Sequence, residues 1–202
     1  MMKLLLATKN RGKVIEIRGL VGLGALKNVQ VLALSDMPTT KDLQETGKTF
    51  SENARMKALH YATAYRVLCI ADDSGLSVEA LGGRPAVHSA RYAGKNATDT
   101  ENNDLLLNDL KPYPRPWKAA FVCVAVCALP GRVIAESTGR IAGEVVPVPR
   151  GFGGFGYDPV FLVEGTGKTM AELSTEEKNR ISHRGQAVRQ LVAELKTQGM
   201  LG

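Results

Sequence analysis

The sequence predicts an α/β protein: a mixed β-sheet with helices on its faces, carried by a single chain of 202 residues. Three observations carry this reading. Strand-length apolar runs alternate with helix-period runs through the first third of the chain. A long apolar hairpin pattern follows, centred on Pro130-Gly131. Two capping boxes, Thr49-x-x-Glu52 and Ser174-x-x-Glu177, announce helix starts. The apolar fraction is 44%, enough for a real core, and the length fits one domain or one domain with two lobes.

In order along the chain, residues 3–7 read as a strand, and residues 8–12 form a polar turn. A helix follows over 13–21, with Val14, Ile17, Leu20 and Val21 at helical spacing. Its start is basic, which is unfavourable for a helix dipole unless an anion binds there. Residues 29–34 read as a second strand, and 35–48 as a long polar loop holding Asp36, Asp42 and Glu45. The first capping box opens a helix to about residue 65. Its buried stripe is Phe50, Ala54, Ala58, Leu59 and Ala62, and Asn53 and Lys57 share one face.

A strand over 67–73 and a further strand over 76–81 come next, then a break at Gly82-Gly83-Arg84-Pro85. A helix is expected over 100–110, and Pro112, Pro114 and Pro116 mark a rigid linker. The hairpin occupies 118–129 and 133–137, with another strand over 143–148. A glycine-rich loop covers 151–156, a strand 159–163, and an amphipathic helix 186–196 closes the chain.

Composition narrows the function. Aromatic residues make up 5%, too few for a platform that stacks single-stranded bases. The net charge of +6 invites a nucleic-acid partner, but the cations fall into two compact clusters: Lys3, Lys9, Arg11, Lys13 and Arg18, then Lys178, Arg180, Arg184 and Arg189. Such clusters suit a small polyanion as well as a duplex, and solvated helix faces would also carry them. Cys69, Cys123 and Cys127 all lie in strand-like runs, which points to reduced, buried thiols and a cytoplasmic protein. The three histidines are scattered, without zinc-ligand spacing. No run reaches membrane-spanning length, and the apolar start is too short for a signal peptide.

The chemistry concentrates at Ala71-Asp72-Asp73-Ser74-Gly75, where an apolar strand meets two acids. Ligands gather at the carboxyl ends of strands in open α/β sheets, and adjacent acids there call for a divalent metal. The same residues also make an ordinary solvated turn. If the strand is regular, the two side chains point to opposite faces, with Asp73 toward a ligand and Asp72 in structural hydrogen bonds. Three phosphate-loop look-alikes fail. Gly165-Thr166-Gly167-Lys168-Thr169 and Gly47-Lys48-Thr49 lack the first glycine of a P-loop, and Gly151-x-Gly153-x-x-Gly156 leads into a strand rather than a helix.

Four further segments supply matching chemistry. Thr8-x-Asn10-x-x-Lys13 offers a hydroxyl, an amide and an ammonium. Glu45 adds an acid. Phe155-Gly156-Tyr157-Asp158 offers an aromatic, tight backbone and an acid. Lys178 with Ser182-His183-Arg184 offers donors. Together these suit a nucleoside triphosphate. Each also has a plainer reading: Lys13 as a solvated lysine, Phe155 as a core aromatic, His183 as a helix-cap histidine.

With these segments in order, the chain resembles the inosine triphosphate pyrophosphatase family in its bacterial, dITP/XTP-hydrolysing form. Further matching elements are Glu45-Thr46-Gly47, Glu52-Asn53-Ala54, Ser89-Ala90-Arg91-Tyr92 and Ser182-His183-Arg184-Gly185. The resemblance implies an elongated two-lobed α/β fold with a central cleft, a homodimer, and magnesium-assisted hydrolysis of ITP, dITP and XTP to the monophosphate and pyrophosphate. It implies that Thr8, Lys9, Asn10, Arg11, Gly12 and Lys13 hold the triphosphate, and that Glu45 and Asp73 hold Mg²⁺, with Asp73 also the proton acceptor. Ser74 would touch substrate; Phe155, Gly156, Tyr157 and Asp158 would hold the nucleoside; Lys178, His183 and Arg184 would complete the base and phosphate contacts. Lys9 departs from the family pattern, in which relatives often carry a small residue there.

Recognition has a physical form as well. Inosine and xanthosine present a 6-keto acceptor where adenine presents an amine, so a buried donor such as Arg184 or a backbone amide would reject ATP by roughly four orders of magnitude. Stacking on Phe155 is worth about 1–3 kcal/mol. The rival expectation is a nucleic-acid-binding module using the two basic clusters, which leaves Glu45 and Asp73 without a task. The enzyme reading expects no nucleic-acid partner and no membrane.

Overall fold

The computed structural model describes residues 2–23, 29–41 and 43–201, without the side chains of residues 11 and 21–23. The loop acid Asp42, the Val21 position of the helix stripe and the Arg11 side chain therefore lie outside the described residues. The elements are β1 (Met2–Leu6), α1 (Arg11–Leu23), β2 (Val29–Ala33), α2 (Phe50–Tyr65), β3 (Leu68–Val78), α3 (Asp99–Leu110), β4 (Trp117–Leu129), β5 (Arg132–Val145), β6 (Phe161–Val163), α4 (Thr175–Ile181) and α5 (His183–Thr197). The strands pair in the order β2-β1-β3-β4-β5-β6. β1 is parallel to β2 and β3, and β5 is antiparallel to β6, so the sheet is mixed.

The chain divides into two compact units. The first comprises Met1–Asp73, Cys123–Gly139 and Arg184–Gly202; the second comprises Ser74–Val122 and Arg140–His183.

In the first unit the strand stretches Leu4–Leu6, Leu68–Asp73 and Cys123–Ala128 are buried on both faces, which is why β1, β3 and β4 read as apolar runs. Side chains alternate with period two. Leu4, Leu6, Leu68, Ile70, Cys123, Ala125 and Cys127 pack with Ile17 and Leu20 of α1 and with Val188, Leu191 and Leu195 of α5. Leu5, Ala7, Cys69, Ala71, Val124, Val126 and Ala128 pack with Ala54, Ala58, Tyr61 and Ala62 of α2. Burying each large aliphatic side chain contributes about 1.5–3 kcal/mol. The alanine stripe lets α2 lie close to the strands. Its start is set by the capping box, with Glu52 N donating to Thr49 Oγ1 at 3.1 Å and Thr49 N donating to Glu52 Oε2 at 3.2 Å.

The second unit is centred on Leu76, Val78, Leu106, Leu110, Phe121, Ile141, Tyr157, Phe161 and Met170.

Two expected breaks are absent. β3 runs without interruption through Asp72-Asp73-Ser74-Gly75, although these are turn-forming residues. Tertiary context overrides their local preference. The Leu76 amide donates to Ser89 Oγ at 2.9 Å, and a Cβ on Gly75 would lie 2.3 Å from the same oxygen, so glycine lets β3 pass close to residues 86–89. Of the strand expected over 143–148, residues 143–145 are the end of β5, a single strand of 14 residues, and residues 146–148 lie beyond it. The glycine-rich stretch 151–156 leads into a short 3₁₀ turn and then β6, with no helix, as its sequence context implied.

Candidate functional site

The period-two alternation of β3 sorts the two adjacent acids. Asp72 continues the face of Leu68 and Ile70, which is covered by α1 and α5. Asp73 continues the face of Cys69 and Ala71, which is covered by α2. Their partners follow from this. Asp72 Oδ2 accepts from Lys13 Nζ of α1 at 2.8 Å and from Arg184 Nε of α5 at 3.3 Å. Arg184 Nη1 also donates to Glu16 Oε2 of α1. Asp72 and Arg184 are each 2% exposed. Burial alone would raise the Asp72 pKa, but Lys13, Arg184 and Lys57 overcome it and hold the carboxyl far below the usual carboxylate range.

Asp73 has a different environment. Its Oδ2 accepts from Asn53 Nδ2 of α2 at 3.0 Å. Burial raises its pKa; Lys57, the Asn53 hydrogen bond and Lys13 pull against this, Glu45 pushes further upward, and the net shift is upward. The Lys57 ammonium lies 3.0 Å from Glu45 Oε1 and donates to the backbone carbonyl of Asp72 at 3.1 Å. Burial disfavours its charge, yet Asp72, Glu45 and Asp73 hold its pKa above the ordinary lysine value. Asn53 ties the Glu45 loop to β3. Its Oδ1 accepts from Gly47 N at 2.8 Å while its Nδ2 serves Asp73.

The loop between β1 and α1 folds on its own side chains. Asn10 N donates to Thr8 Oγ1 at 3.2 Å, and Lys13 N donates to Asn10 Oδ1 at 3.1 Å, capping the helix. Arg11 and Gly12 open α1, whose first N–H groups lack intrahelical partners by geometry. Thr8 and Lys9 line a cavity of about 250 Å³ together with Ala7, Leu34, Leu43, Glu45, Lys57 and Tyr61. The expected phosphate-holding hydroxyl and an expected metal-holding carboxylate therefore share one space. Lys13 faces the Asp72 carboxylate.

The remaining expected residues lie in the second unit, where Phe155, Asp158 and Lys178 form a cluster. Lys178 Nζ sits 4.9 Å from the Phe155 ring centroid and donates to Asp158 Oδ2 at 2.6 Å. Phe155 N donates to the same oxygen at 2.9 Å. Gly154 has φ +79° and a Cβ there would lie 2.0 Å from Asp158 Oδ2, so glycine is required on both counts. Tyr157 OH donates to Ser89 O at 2.9 Å. The His183 ring stacks on Phe121, with centroids 4.8 Å apart and planes 10° apart. Ser74 lies on β3, half-buried.

A family model described as the Ham1 family matches residues 4–194. The chain belongs to the Ham1 family. Among its Ham1-family relatives, the dITP/XTP pyrophosphatase of Geobacillus kaustophilus is 48% identical over 192 residues, covering 95% of this chain and 93% of the relative. That of Geobacter sulfurreducens is 45% identical over 202 residues, covering 99% and 100%. Two solved Ham1 structures match closely. The Staphylococcus aureus protein has a TM-score of 0.85 at 39% identity over 97% of this chain and 99% of its own. The Coxiella burnetii protein has a TM-score of 0.86 at 39% identity over 98% and 100%.

In this Ham1-family chain the described residues contain no group of three or more His, Cys, Asp or Glu set to hold a metal. A full protein cage is not what Mg²⁺ needs; it is commonly held by one or two carboxylates, with water and substrate phosphates completing the shell. Glu45 and Asp73 interact electrostatically and offer only hard oxygen donors, which suits that ion. Sequence reasoning assigned no role to Glu16, Asn53 or Lys57. Asn53 and Lys57 were legible as a pair on one helix face; Glu16 carried no signal, because its partner Arg184 is 168 positions away.

Proposed function

We propose that this chain hydrolyses deaminated purine nucleoside triphosphates, ITP, dITP and XTP, to the monophosphate and pyrophosphate, with Mg²⁺ as cofactor. It is a nucleoside-triphosphate pyrophosphatase, a hydrolase of nucleotide metabolism. Relatives named dITP/XTP pyrophosphatase, matched over nearly their whole length, support the substrate class. The single observation that carries the chemistry is the setting of Asp73: a buried carboxylate oriented by Asn53, beside the Lys57–Glu45 pair.

In the reaction, water attacks the α-phosphorus, the bond from that phosphorus to the bridging oxygen breaks, and pyrophosphate leaves. Asp73, oriented by Asn53, takes the proton from the attacking water. Asn53 fixes which oxygen of Asp73 is available. Lys57 and the Thr8–Lys13 loop contribute positive charge and donors for the phosphates. Mg²⁺, held by Glu45 and Asp73, would neutralise phosphate oxygens. Phe155, Gly156, Tyr157 and Asp158 hold the nucleoside, with Ser74, Lys178, His183 and Arg184 completing the contacts. The chain acts as one domain with two lobes, as a homodimer, in the cytoplasm, the compartment that suits its free, buried cysteines.

The test is pyrophosphate release from ITP, XTP, GTP and ATP with and without Mg²⁺. Fast, magnesium-dependent turnover of ITP and XTP over GTP and ATP is expected. Equal rates on all four would overturn the substrate assignment.

A further inference from the structure

Gly156 has φ +64°, and a Cβ placed on it would meet nothing within 4 Å, so its glycine answers to conformation rather than crowding. Glycine is also the residue with the most backbone freedom to lose. Both of its peptide groups are gripped by α3. Gly156 N donates to Asp99 Oδ2 at 2.7 Å, and Gly156 O accepts from Asn103 Nδ2 at 3.0 Å. Asp99 and Asn103 are four apart and so project from one face of the helix. With both groups held, the peptide planes on either side of Gly156 cannot turn, and these planes carry Phe155 and Tyr157.

We infer that Asp99 and Asn103 are positioning residues that clamp Gly156 and thereby set the nucleoside-holding loop for purine recognition. The inference rests on the reading that Phe155 to Asp158 hold the nucleoside.

Asn103 is a poor choice for stability alone. It is 7% exposed, and its Oδ1 is buried with no hydrogen-bond partner among the described residues. A half-matched buried amide is a net burden on the fold. Its other end serves a half-buried loop glycine whose carbonyl water could satisfy. Keeping such an amide is explained by the geometry it imposes on Gly156. The same helix also steadies the segment against which Tyr157 leans: Ala93 N donates to Asn102 Oδ1 at 2.8 Å, and Tyr157 OH reaches Ser89 O.

The experiment measures KM and kcat for ITP, together with the midpoint of thermal unfolding, in Asn103→Leu, Asp99→Ala, Asp99→Asn and Phe155→Ala. Asn103→Leu should raise KM about tenfold, the scale of one lost hydrogen bond, with kcat within about twofold and the unfolding midpoint unchanged or higher. Asp99→Ala should raise KM similarly, and Asp99→Asn, whose amide oxygen still accepts from Gly156 N, should restore it. If Asn103→Leu lowers the unfolding midpoint and leaves KM alone, the residue is only structural and the inference is overturned. If Phe155→Ala raises KM while Asn103→Leu and Asp99→Ala do not, the clamp is wrong and the nucleoside reading stands. If Phe155→Ala leaves KM unchanged, the nucleoside reading itself falls and the clamp falls with it.

Discussion

Asp72 and Asp73 share a peptide bond, yet the side-chain hydrogen bonds described above reach them from different helices. Asp72 accepts from Lys13 and Arg184, and its carboxyl is held ionised. Asp73 accepts from Asn53, and its carboxyl is pushed toward protonation. The strand pleat separates them: at Asp72 the cost of burial is outweighed by three cations, Lys13, Arg184 and Lys57. At Asp73 burial pushes the carboxyl upward, with Lys57, the Asn53 hydrogen bond and Lys13 pulling against it and Glu45 adding to it, and the upward push wins. The first acid is therefore locked between Lys13 and Arg184, and the second is left for the reaction.

Asp73→Asn should lower kcat for ITP by about two to four orders of magnitude, the usual contribution of a positioned proton acceptor. The fold should survive, since an amide fits the same space. Steady-state hydrolysis and a circular dichroism melt check both parts, and near-normal turnover would remove Asp73 from the proton step.

In the metal-free protein Asp73 should titrate above the ordinary Asp value of 3.8, because burial raises its pKa, and bound Mg²⁺ would pull it the other way. Lys57 opposes that rise, so Lys57→Met should move the metal-free titration, followed by NMR, to still higher pH. The same raised pKa acts on stability. Between 3.8 and its folded value the native state binds more protons than the unfolded chain, so this group's contribution falls as pH rises through that window. Asp73→Asn should therefore gain stability relative to the parent protein across the same window, read by urea unfolding at a series of pH values.

Asp72→Asn leaves Lys13 and Arg184 without their shared counter-charge and should cost about 3–5 kcal/mol. Here the pKa is depressed, so the stabilisation is present above 3.8 and is lost as pH falls toward the folded value. Chemical denaturation of both proteins at neutral and acid pH should show the gap between them narrowing on acidification. A constant gap would mean that packing, not charge, accounts for the loss.

Chelation should abolish turnover, and added Mg²⁺ should restore it. Ca²⁺, larger and less strict in geometry, should restore it poorly. Glu45→Gln should raise the Mg²⁺ concentration giving half-maximal rate by about tenfold, the lower end for weakening a metal site. An unchanged metal dependence would take Glu45 out of the metal shell.

Local pattern made much of this legible. The capping box at Thr49 and Glu52 marked the start of α2 to within a residue, because both hydrogen bonds are local. The opposite facing of Asp72 and Asp73 followed from strand pleat alone. The uninterrupted course of β3 did not, since Ser74 and Gly75 look like a turn until Ser89 is packed against them. The lysine expected to meet phosphate, Lys13, proves to be held by a carboxylate 59 positions away, which no local pattern reports.

By itself, then, the chain's order of residues determined its elements, the two-sided burial of its strands and the family to which it belongs, because short-range hydrogen bonding and side-chain periodicity are written in neighbouring positions. Only the tertiary structure decided which cation meets which acid. It joined Arg184 to Glu16 and Asp72, set Asn53 between Gly47 and Asp73, and closed α3 on Gly156. Charge and hydrogen bonding act over a few ångströms of space, and that separation exists only once the strands and helices have packed.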